Sequence, residues 1–339
     1  MYENVKVDNI VIDITTACNL NCMHCYNRKV DDSRHMNYES LVKIIEELSK
    51  YGVTEITISG GEPLLHTEIE KIVHIPMSYP NINFVVATNG MLLTDDLIAQ
   101  MEKVDNLIVQ ISIDGSDMKT YEKQRGVGSF NDFYRGFLLL AQSSVKRKAS
   151  IIVVTKVNCR DVENMYVLSV EHDILPTFKF ADYMGNAKNN WKSLTLNLAQ
   201  KMHVINIIKK MNIQYDKKVH VPIPGSACEF SVYAERTNFL IQVDGTVVAC
   251  QWLLDYPLGN ILGENLPDIL KSDVMMHLYE IGSKRREALN VSSSCMDCSV
   301  RNHCYLGCLG VALINGNEIG LDDDCAFRKA EVALRFFDH

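Results

Sequence analysis

The chain has 339 residues, of which 47% are hydrophobic, and its formal net charge is -8 at pH 7. This size and composition suit a soluble globular protein with one large domain and one smaller one. The acidic balance argues against a nucleic-acid surface as the main partner, and no apolar run reaches the roughly 18 residues of a membrane span. The first residues lack the apolar segment of a signal peptide, so the sequence predicts a cytoplasmic protein.

Short β-branched segments alternate with amphipathic ones from residue 7 to residue 182. The predicted strands are NIVIDIT, TEITIS, INFVVAT, LIVQISI, SIIVVT and TFKFAD, and the predicted helices cover 38–50, 67–75, 94–103, 130–146 and 161–172. Six such β/α units predict a parallel sheet that is either curled into an open barrel or flat and doubly wound. Both arrangements bind ligands at the carboxyl ends of their strands.

The alternation stops near residue 185. The next segment is predicted to begin as a helix (LNLAQKMHVINIIKKM) and to continue as a turn-rich bridge (VPIPGS). The remainder combines short strands, glycine turns and a closing helix (AFRKAEVALRFF), with few long apolar elements. A region of this kind commonly folds around bound metal. The sequence therefore predicts three parts, residues 1–185, 186–226 and 227–339.

Eleven cysteines are many for a chain in a reducing compartment, where thiols bind metal more often than they form disulfides. Three of them lie in the loop after the first predicted strand, seven lie between positions 228 and 325, and Cys159 stands apart. The uneven distribution predicts two separate metal-binding regions.

The first group consists of Cys18, Cys22 and Cys25. Thiolates are the usual ligands of iron–sulfur clusters, and three of them leave one iron of a four-iron cluster open to another molecule. Zinc is the alternative metal for these thiols, and His24 would then complete the set of ligands.

The CxxxCxxC spacing of these cysteines, placed after the first strand of a β/α array, resembles the radical S-adenosylmethionine superfamily. In that family the amino and carboxylate groups of S-adenosylmethionine chelate the open iron of a 4Fe–4S cluster. The resemblance implies a partial (β/α)6 barrel. It also implies that one electron from the reduced cluster breaks the C5′–S bond of the cofactor and yields a 5′-deoxyadenosyl radical.

Later motifs match the same family in order and position. In GGEP, Glu62 and the exposed backbone would hold the methionine ammonium, while Ser112 of SIDG would contact the ribose. Arg125 would pair with the methionine carboxylate, and Tyr183–Ala187 matches the strand exit beside the adenine. In this family the residue before the third cysteine is usually aromatic. Here it is His24, whose ring can still stack. The resemblance thus implies a set of cofactor-binding residues. These residues are His24, Gly60, Gly61, Glu62, Pro63, Ser112 and Arg125.

The later cysteines resemble the SPASM domain, a small iron–sulfur domain that carries two auxiliary 4Fe–4S clusters in radical enzymes that modify peptides and proteins. The resemblance assigns one cluster to Cys295, Cys298, Cys304 and Cys325, and the other to Cys228, Cys250 and Cys308. With the first group, this makes three 4Fe–4S clusters.

The chain departs from this pattern before Gly245, where some members of the family have a further cysteine. The auxiliary cluster with three cysteines would therefore have an open site or a ligand of another kind. Glu229, Tyr233 and Glu235 are oxygen donors close in sequence. Cys159 is expected to pack as a small apolar residue, and roles as a fourth ligand or a hydrogen-atom donor are the alternatives.

The resemblance implies an oxidoreductase that modifies a ribosomally synthesised peptide by crosslinking, oxidation or epimerisation at an unactivated C–H bond. The alternatives are an anaerobic sulfatase maturase, a radical enzyme with a non-peptide substrate, and a non-catalytic iron–sulfur electron carrier. Sulfatase maturases have an aspartate as proton acceptor where this chain has Gln251, which cannot act as a base. The motifs for a nucleoside argue against the carrier.

The expected partners are a precursor peptide and an electron donor of the flavodoxin or ferredoxin type. Few residues precede the first predicted strand, so the leader-binding domain of many peptide-modifying members is expected to be absent. A leader would then bind the bridge, the barrel rim or a separate leader-binding protein. No nucleic-acid or membrane partner is expected.

Overall fold

A computed structural model of the protein describes residues 6–27, 33–221, 236–291, 293–304, 306–319 and 325–330. The strands within these ranges are β1 (Lys6–Thr15), β2 (Glu55–Gly60), β3 (Asn83–Thr88), β4 (Leu107–Ser112), β5 (Arg147–Val154), β6 (Leu175–Phe180), β7 (Arg236–Ile241), β8 (Thr246–Val248) and β9 (Pro257–Asn260). No helix in the described ranges is long and apolar enough to cross a bilayer.

The α-helices of the described ranges connect and cover these strands. They are α1 (Tyr38–Ser49), α2 (Ile69–Ile72), α3 (Asp95–Met101), α4 (Met118–Arg125), α5 (Phe130–Gln142), α6 (Val162–Val170), α7 (Gly185–Leu194), α8 (Leu198–Gln214), α9 (Leu266–Ile269), α10 (Asp273–Val291), α11 (Ser293–Met296) and α12 (Leu309–Ile314). Short 3-10 helices occur at Pro63–Leu65, Ile75–Ser78 and Arg301–His303.

All nine strands form one sheet in the order β6-β5-β4-β3-β2-β1-β7-β8-β9. Strands β1 to β6 are parallel and follow one another in chain order, β7 is parallel to β1, and β8 and β9 are antiparallel. A doubly wound sheet reverses its strand order at a switch point, whereas sequential order keeps every right-handed crossover on one face. The strand order therefore confirms the open barrel rather than the flat alternative.

Side chains of β1 show how the two faces of the sheet differ. Ile10, Ile12 and Ile14 are buried in the core together with Leu41 and Ile45 of α1. Because successive side chains of a strand point to opposite faces, the residues between these isoleucines face the barrel interior. Polar residues on that interior face are available for a site.

The structure confirms the six predicted strands and contains helices that the sequence pattern did not predict, among them α4 and α10. Helix α4 is mostly polar, and it starts where the side chain of Asp117 accepts a hydrogen bond from the backbone of Thr120. Helix α10 is 19 residues long, although few long elements were expected after residue 227. Its buried face includes a fully buried arginine, Arg285, and this polar residue weakens the apolar pattern.

The C-terminal part of the chain continues the barrel sheet. In the β1–β7 register, Ile10 lies opposite Phe239 and Ile12 lies opposite Ile241. The edge of β1 that an open barrel would expose is thereby paired. Because the sheet crosses the predicted boundary near residue 226, and residues 222–235 lie outside the described ranges, the three-part division stays a prediction.

Candidate active site

The first cysteine group lies in the loop that leaves β1. Cys22 is buried, Cys25 is partly buried and Cys18 is exposed, and no cysteine in the described ranges forms a disulfide. The backbone of Cys25 donates a hydrogen bond of 3.3 Å to the carbonyl of Cys22, so the two thiols lie on one turn. Burial raises the pKa of the Cys22 thiol to about 12, with the charge of Arg125 opposing the shift. Metal binding deprotonates a thiol of this kind.

The two glycines of GGEP allow the loop after β2 to lie directly against the cysteine loop. The backbone of Gly61 donates to the carbonyl of Thr15 at 2.8 Å, and that of Glu62 donates to the carbonyl of Ala17 at 2.7 Å. A Cβ atom at Gly60 would overlap the Thr15 carbonyl, and one at Gly61 would overlap the Ala17 carbonyl. Larger residues at either position would therefore separate the two loops.

The carboxylate of Glu62 is buried and joins the loops after β2 and β3. It accepts hydrogen bonds from the backbone of Leu64 at 3.1 Å, the hydroxyl of Thr88 at 2.6 Å and the backbone of Asn89 at 2.7 Å. Burial raises its pKa even though these donors oppose the shift. The structure thus gives Glu62 a role in fixing the loops, while direct contact with an ammonium stays a prediction.

Asp114 is a buried carboxylate that holds two of the predicted cofactor-binding residues. Its Oδ2 atom accepts from Nε of Arg125 at 2.6 Å and lies 3.2 Å from Nε2 of His24. Its Oδ1 atom accepts from the backbone of Val153 at 2.9 Å. Burial acts to raise the pKa of Asp114, but the charge of Arg125 holds it below its usual value.

The same contacts determine the protonation state of His24 and the hydrogen bonding of Arg125. Burial lowers the pKa of His24 to about 4 despite the opposing charge of Asp114, so the ring is neutral and donates from Nε2. Arg125 uses Nε for Asp114, and its two terminal nitrogens remain suited to a second, bidentate anion.

The loop after β6 closes over the cysteine loop from the other side. The backbone of Asn186 donates to the carbonyl of Cys25 at 2.9 Å, and the Asn186 side chain donates to Asn21 at 2.6 Å. Gly185 has a φ of 48°, and a Cβ there would overlap the carbonyl of Tyr26. Loops of the first and the sixth strand meet in this way only when the sheet curls. Ser112 ends β4 at the same rim, opposite Ile151 of β5.

The second cysteine group lies around the carboxyl end of α10. Cys298 and Cys304 share a small buried cluster with Val300. Burial raises the pKa of the Cys304 thiol, and the neighbouring Cys325 and Cys298 raise it further. Cys295 is buried in a separate cluster with Leu289 and Leu306. Cys298, Cys304 and Cys325 are therefore neighbours, and the backbone of Cys298 donates to the carbonyl of Cys295 at 3.1 Å. That all four share one auxiliary cluster stays a prediction.

The other predicted auxiliary site is described only in part, because Cys228, Glu229, Tyr233 and Glu235 lie outside the described residues. Cys308 lines a cavity of about 950 Å³ between the end of β6 and the C-terminal part of the chain, and Trp252 lines it too. A Cβ at Gly310 would overlap the side chain of Trp252, so the segments that carry Cys250 and Cys308 pack tightly. Cys159 is buried in the main core, which agrees with a packing role.

The arrangement of the candidate cysteine ligands fits iron–sulfur clusters better than single metal ions. Within the described ranges, no group of three or more His, Cys, Asp or Glu side chains is placed to hold one ion. A four-iron cluster binds each thiolate to a different iron, so its ligands need not converge on one point, whereas the ligands of tetrahedral zinc must.

Sequence reasoning missed Asp13 and Asp114. Asp13 lies between two buried isoleucines of β1, lines a cavity of about 220 Å³, and has an Oδ1 atom without a hydrogen-bond partner among the described residues. Asp114 was part of a quoted motif, but only its serine was given a role. Both residues could have been found from the sequence, because each is a carboxylate within an apolar strand or just after one. Carboxylates are rarely buried in such positions unless they are paired or have a function.

Two family matches cover most of the chain. Residues 12–168 match the radical SAM superfamily, and residues 228–299 match SPASM, described as an iron–sulfur cluster-binding domain. The mycofactocin maturase MftC of Mycolicibacterium smegmatis is 25% identical over 324 residues, which is 92% of this chain and 81% of that protein. The sporulation killing factor maturation protein SkfB of Bacillus subtilis is 26% identical over 268 residues, 76% of this chain and 63% of that protein.

Solved structures share the fold at low sequence identity. Streptococcus suis SuiB bound to the precursor peptide SuiA superposes with a TM-score of 0.77 at 17% identity, covering 95% of this chain and 76% of that one. The structure of anSMEcpe with bound AdoMet superposes with a TM-score of 0.74 at 18% identity, covering 98% and 97%. Both likenesses extend through the barrel into the C-terminal part.

Proposed function

The chain belongs to the radical SAM superfamily and carries a SPASM domain, and from this premise we propose that it modifies a ribosomally synthesised peptide at an unactivated C–H bond. The observation that carries the proposal is the enclosure of the cysteine loop. GGEP contacts it on one side and the loop after β6 on the other, while the Arg125–Asp114 pair lies beneath it.

Different residues at the rim would bind the cluster and S-adenosylmethionine. Cys18, Cys22 and Cys25 would bind the cluster, and Arg125 would offer its terminal nitrogens to the methionine carboxylate. Glu62 would fix the loops around the ammonium site, and His24 and Ser112 would face the nucleoside. When bound, the cluster and cofactor would supply the radical chemistry that breaks an unactivated C–H bond of the substrate.

We assign the seven cysteines between positions 228 and 325 to two auxiliary 4Fe–4S clusters, which makes three clusters in all. Cys295, Cys298, Cys304 and Cys325 hold one, supported by their placement around the end of α10. Cys228, Cys250 and Cys308 hold the other, and Cys308 lines the cavity of about 950 Å³. This cavity adjoins the barrel rim and has room for part of a peptide.

A peptide substrate is supported by the relatives rather than by a bound ligand. MftC and SkfB are named as maturation proteins, and SuiB was solved with a precursor peptide. The reaction also needs an electron donor, for which we propose a flavodoxin or ferredoxin. A separate protein that binds the leader of the precursor is a further partner in this proposal.

Cleavage of S-adenosylmethionine tests the proposal. Anaerobically reconstituted and reduced protein is expected to convert S-adenosylmethionine to 5′-deoxyadenosine and methionine, and to hold about twelve iron and twelve sulfide per chain. Cys22→Ala should abolish the cleavage, whereas the matched control Cys159→Ala, a change in the core away from the loop, should retain it. Zinc without sulfide, or cleavage that survives Cys22→Ala, would refute the proposal.

A further inference from the structure

Asp13 is a buried carboxylate in the wall of a cavity, and one of its oxygen atoms has no partner. The residue is 8% exposed, it lines the cavity of about 220 Å³, and its Oδ1 atom accepts no hydrogen bond. Burial raises the pKa of Asp13 and the Asn27 side chain opposes the shift, whereas no positively charged group among the described residues acts on it. Since a buried carboxylate without a cation is costly, a partner from outside the chain would relieve this cost.

The polar side chains around Asp13 are engaged with other groups. In the β1–β2 register Asp13 lies opposite Ser59, whose hydroxyl lies 3.4 Å from the hydroxyl of Tyr26. The side-chain amide of Asn27 donates to the carbonyl of Gly60 at 3.0 Å. The wall of the cavity therefore holds the carboxylate in place but leaves Oδ1 for a bound group.

This cavity lies between three segments that the proposed function brings together. Asn27 belongs to the end of the cysteine loop, Gly185 to the loop after β6, and Gln251 directly follows Cys250. None of the residues predicted to bind S-adenosylmethionine lines it. A group held by Asp13 would thus leave the cofactor site free and lie between the cysteine loop and the segment that carries Cys250.

The charges that line the cavity favour a cation at its buried end. Besides Asp13, the charged residues of the lining are Arg34, Lys188, Asp244 and Asp255, two of each sign. Lys188 is half-buried and the other three are exposed, so these four charges offset one another and are screened by solvent. The buried charge of Asp13 remains. The cavity is also much smaller than the one of about 950 Å³, which suits it to a single side chain.

We propose that this cavity binds a cationic side chain of the substrate peptide, with its ammonium or guanidinium group on the carboxylate of Asp13. A cation supplies both the donor that Oδ1 lacks and the positive charge that the buried carboxylate lacks, whereas water or a neutral amide supplies only the donor. The inference rests on the proposed function and names a feature of its substrate. The bound side chain anchors the peptide beside the cysteine loop.

Binding of short peptides of matched shape tests the inference. The probes are acetylated and amidated tripeptides with lysine, arginine or norleucine between two glycines, and ligand-observed NMR measures their dissociation constants. Anaerobically reconstituted, unreduced protein is saturated with S-adenosylmethionine and held at pH 8, where Asp13, with a pKa of about 7, is charged. Because a hydrogen bond to a charged group is lost with norleucine, a cationic peptide should bind about tenfold more tightly than the norleucine peptide.

Two variants locate the binding. Asp13→Asn keeps the shape of the side chain and should abolish the preference for a cation, whereas Asp105→Asn makes the same change at a carboxylate that is 75% exposed and should retain it. A preference for only one of the two cationic peptides would identify lysine or arginine as the source of the cation. Wild-type protein without a preference, or a preference that survives Asp13→Asn, would overturn the inference. Reduced protein that fails to cleave S-adenosylmethionine would refute the proposed function instead, whatever the peptides do.

Discussion

At the residue scale, the buried carboxylates differ in how fully their oxygen atoms are hydrogen-bonded. Asp114 is matched by Arg125 and His24. Asp13 points into the barrel interior, where Asn27 is the side chain that favours its charged form. Burial raises the pKa of Asp13 to about 7 against this hydrogen bond. A buried carboxylate with a raised pKa lowers the stability of the folded protein. Residues that lower stability in this way are usually kept for function.

Asp13→Asn is expected to stabilise the protein at alkaline pH. Because the pKa of Asp13 is near its usual 3.8 in the unfolded chain and about 7 in the folded one, the folded state binds more protons between these values. Wild-type stability therefore falls as pH rises from about 4 to about 7, by on the order of 4 kcal/mol. The variant lacks this loss, so its melting temperature should exceed that of the wild type at pH 8 and approach it near pH 4.

The surface substitution Asp105→Asn serves as the control for this comparison. Its carboxylate is 75% exposed and paired with Lys146, so the change should have little effect at any pH. An Asp13→Asn variant that is less stable than the wild type at pH 8 would show that the carboxylate makes a stabilising contact.

At the element scale, the six barrel strands were predictable, whereas several helices, α4 and α10 among them, were not. Segments such as INFVVAT carry their own β propensity, and the structure places β3 within it. Helix α4 has little apolar character, and its burial rests on Tyr121 and on Arg125, whose partner Asp114 lies outside the helix. Tertiary contacts of this kind override local pattern. The site followed the same rule, since motifs located the loops and Glu62 but not the buried carboxylates Asp13 and Asp114.

Gly61→Ala tests whether close contact between two loops assembles the first cluster. The added Cβ would overlap the carbonyl of Ala17, so the GGEP loop and the cysteine loop would have to separate. Reconstituted protein should lose about one third of its iron, the share of one cluster in three. Gly263→Ala is the matched control, because a Cβ there meets nothing within 4 Å and should leave the iron content unchanged. Full iron content in Gly61→Ala would mean that the loops tolerate separation.

At the scale of the whole molecule, the barrel and the C-terminal part share one sheet and one core. Residues of β1, β7 and α10 belong to the same buried cluster, among them Ile12, Ile241 and Leu278. The sequence could not predict this, because the β1–β7 pairing joins segments more than 200 residues apart and no local signal encodes it. The end of the β/α alternation predicts a change near residue 185, but long-range pairing decides which elements fold together.

A substitution in β7 should consequently weaken the barrel. Ile241 is 1% exposed and lies opposite Ile12 of β1. Ile241→Ala should cost about 2–5 kcal/mol, and hydrogen exchange of amides in β3, three strands away in the sheet, should accelerate with it. Ile213→Ala, at a side chain that is 85% exposed, is the matched control and should leave this exchange unchanged. If Ile241→Ala accelerated exchange only in β7 to β9, the two parts would be folding as separate units despite their common sheet.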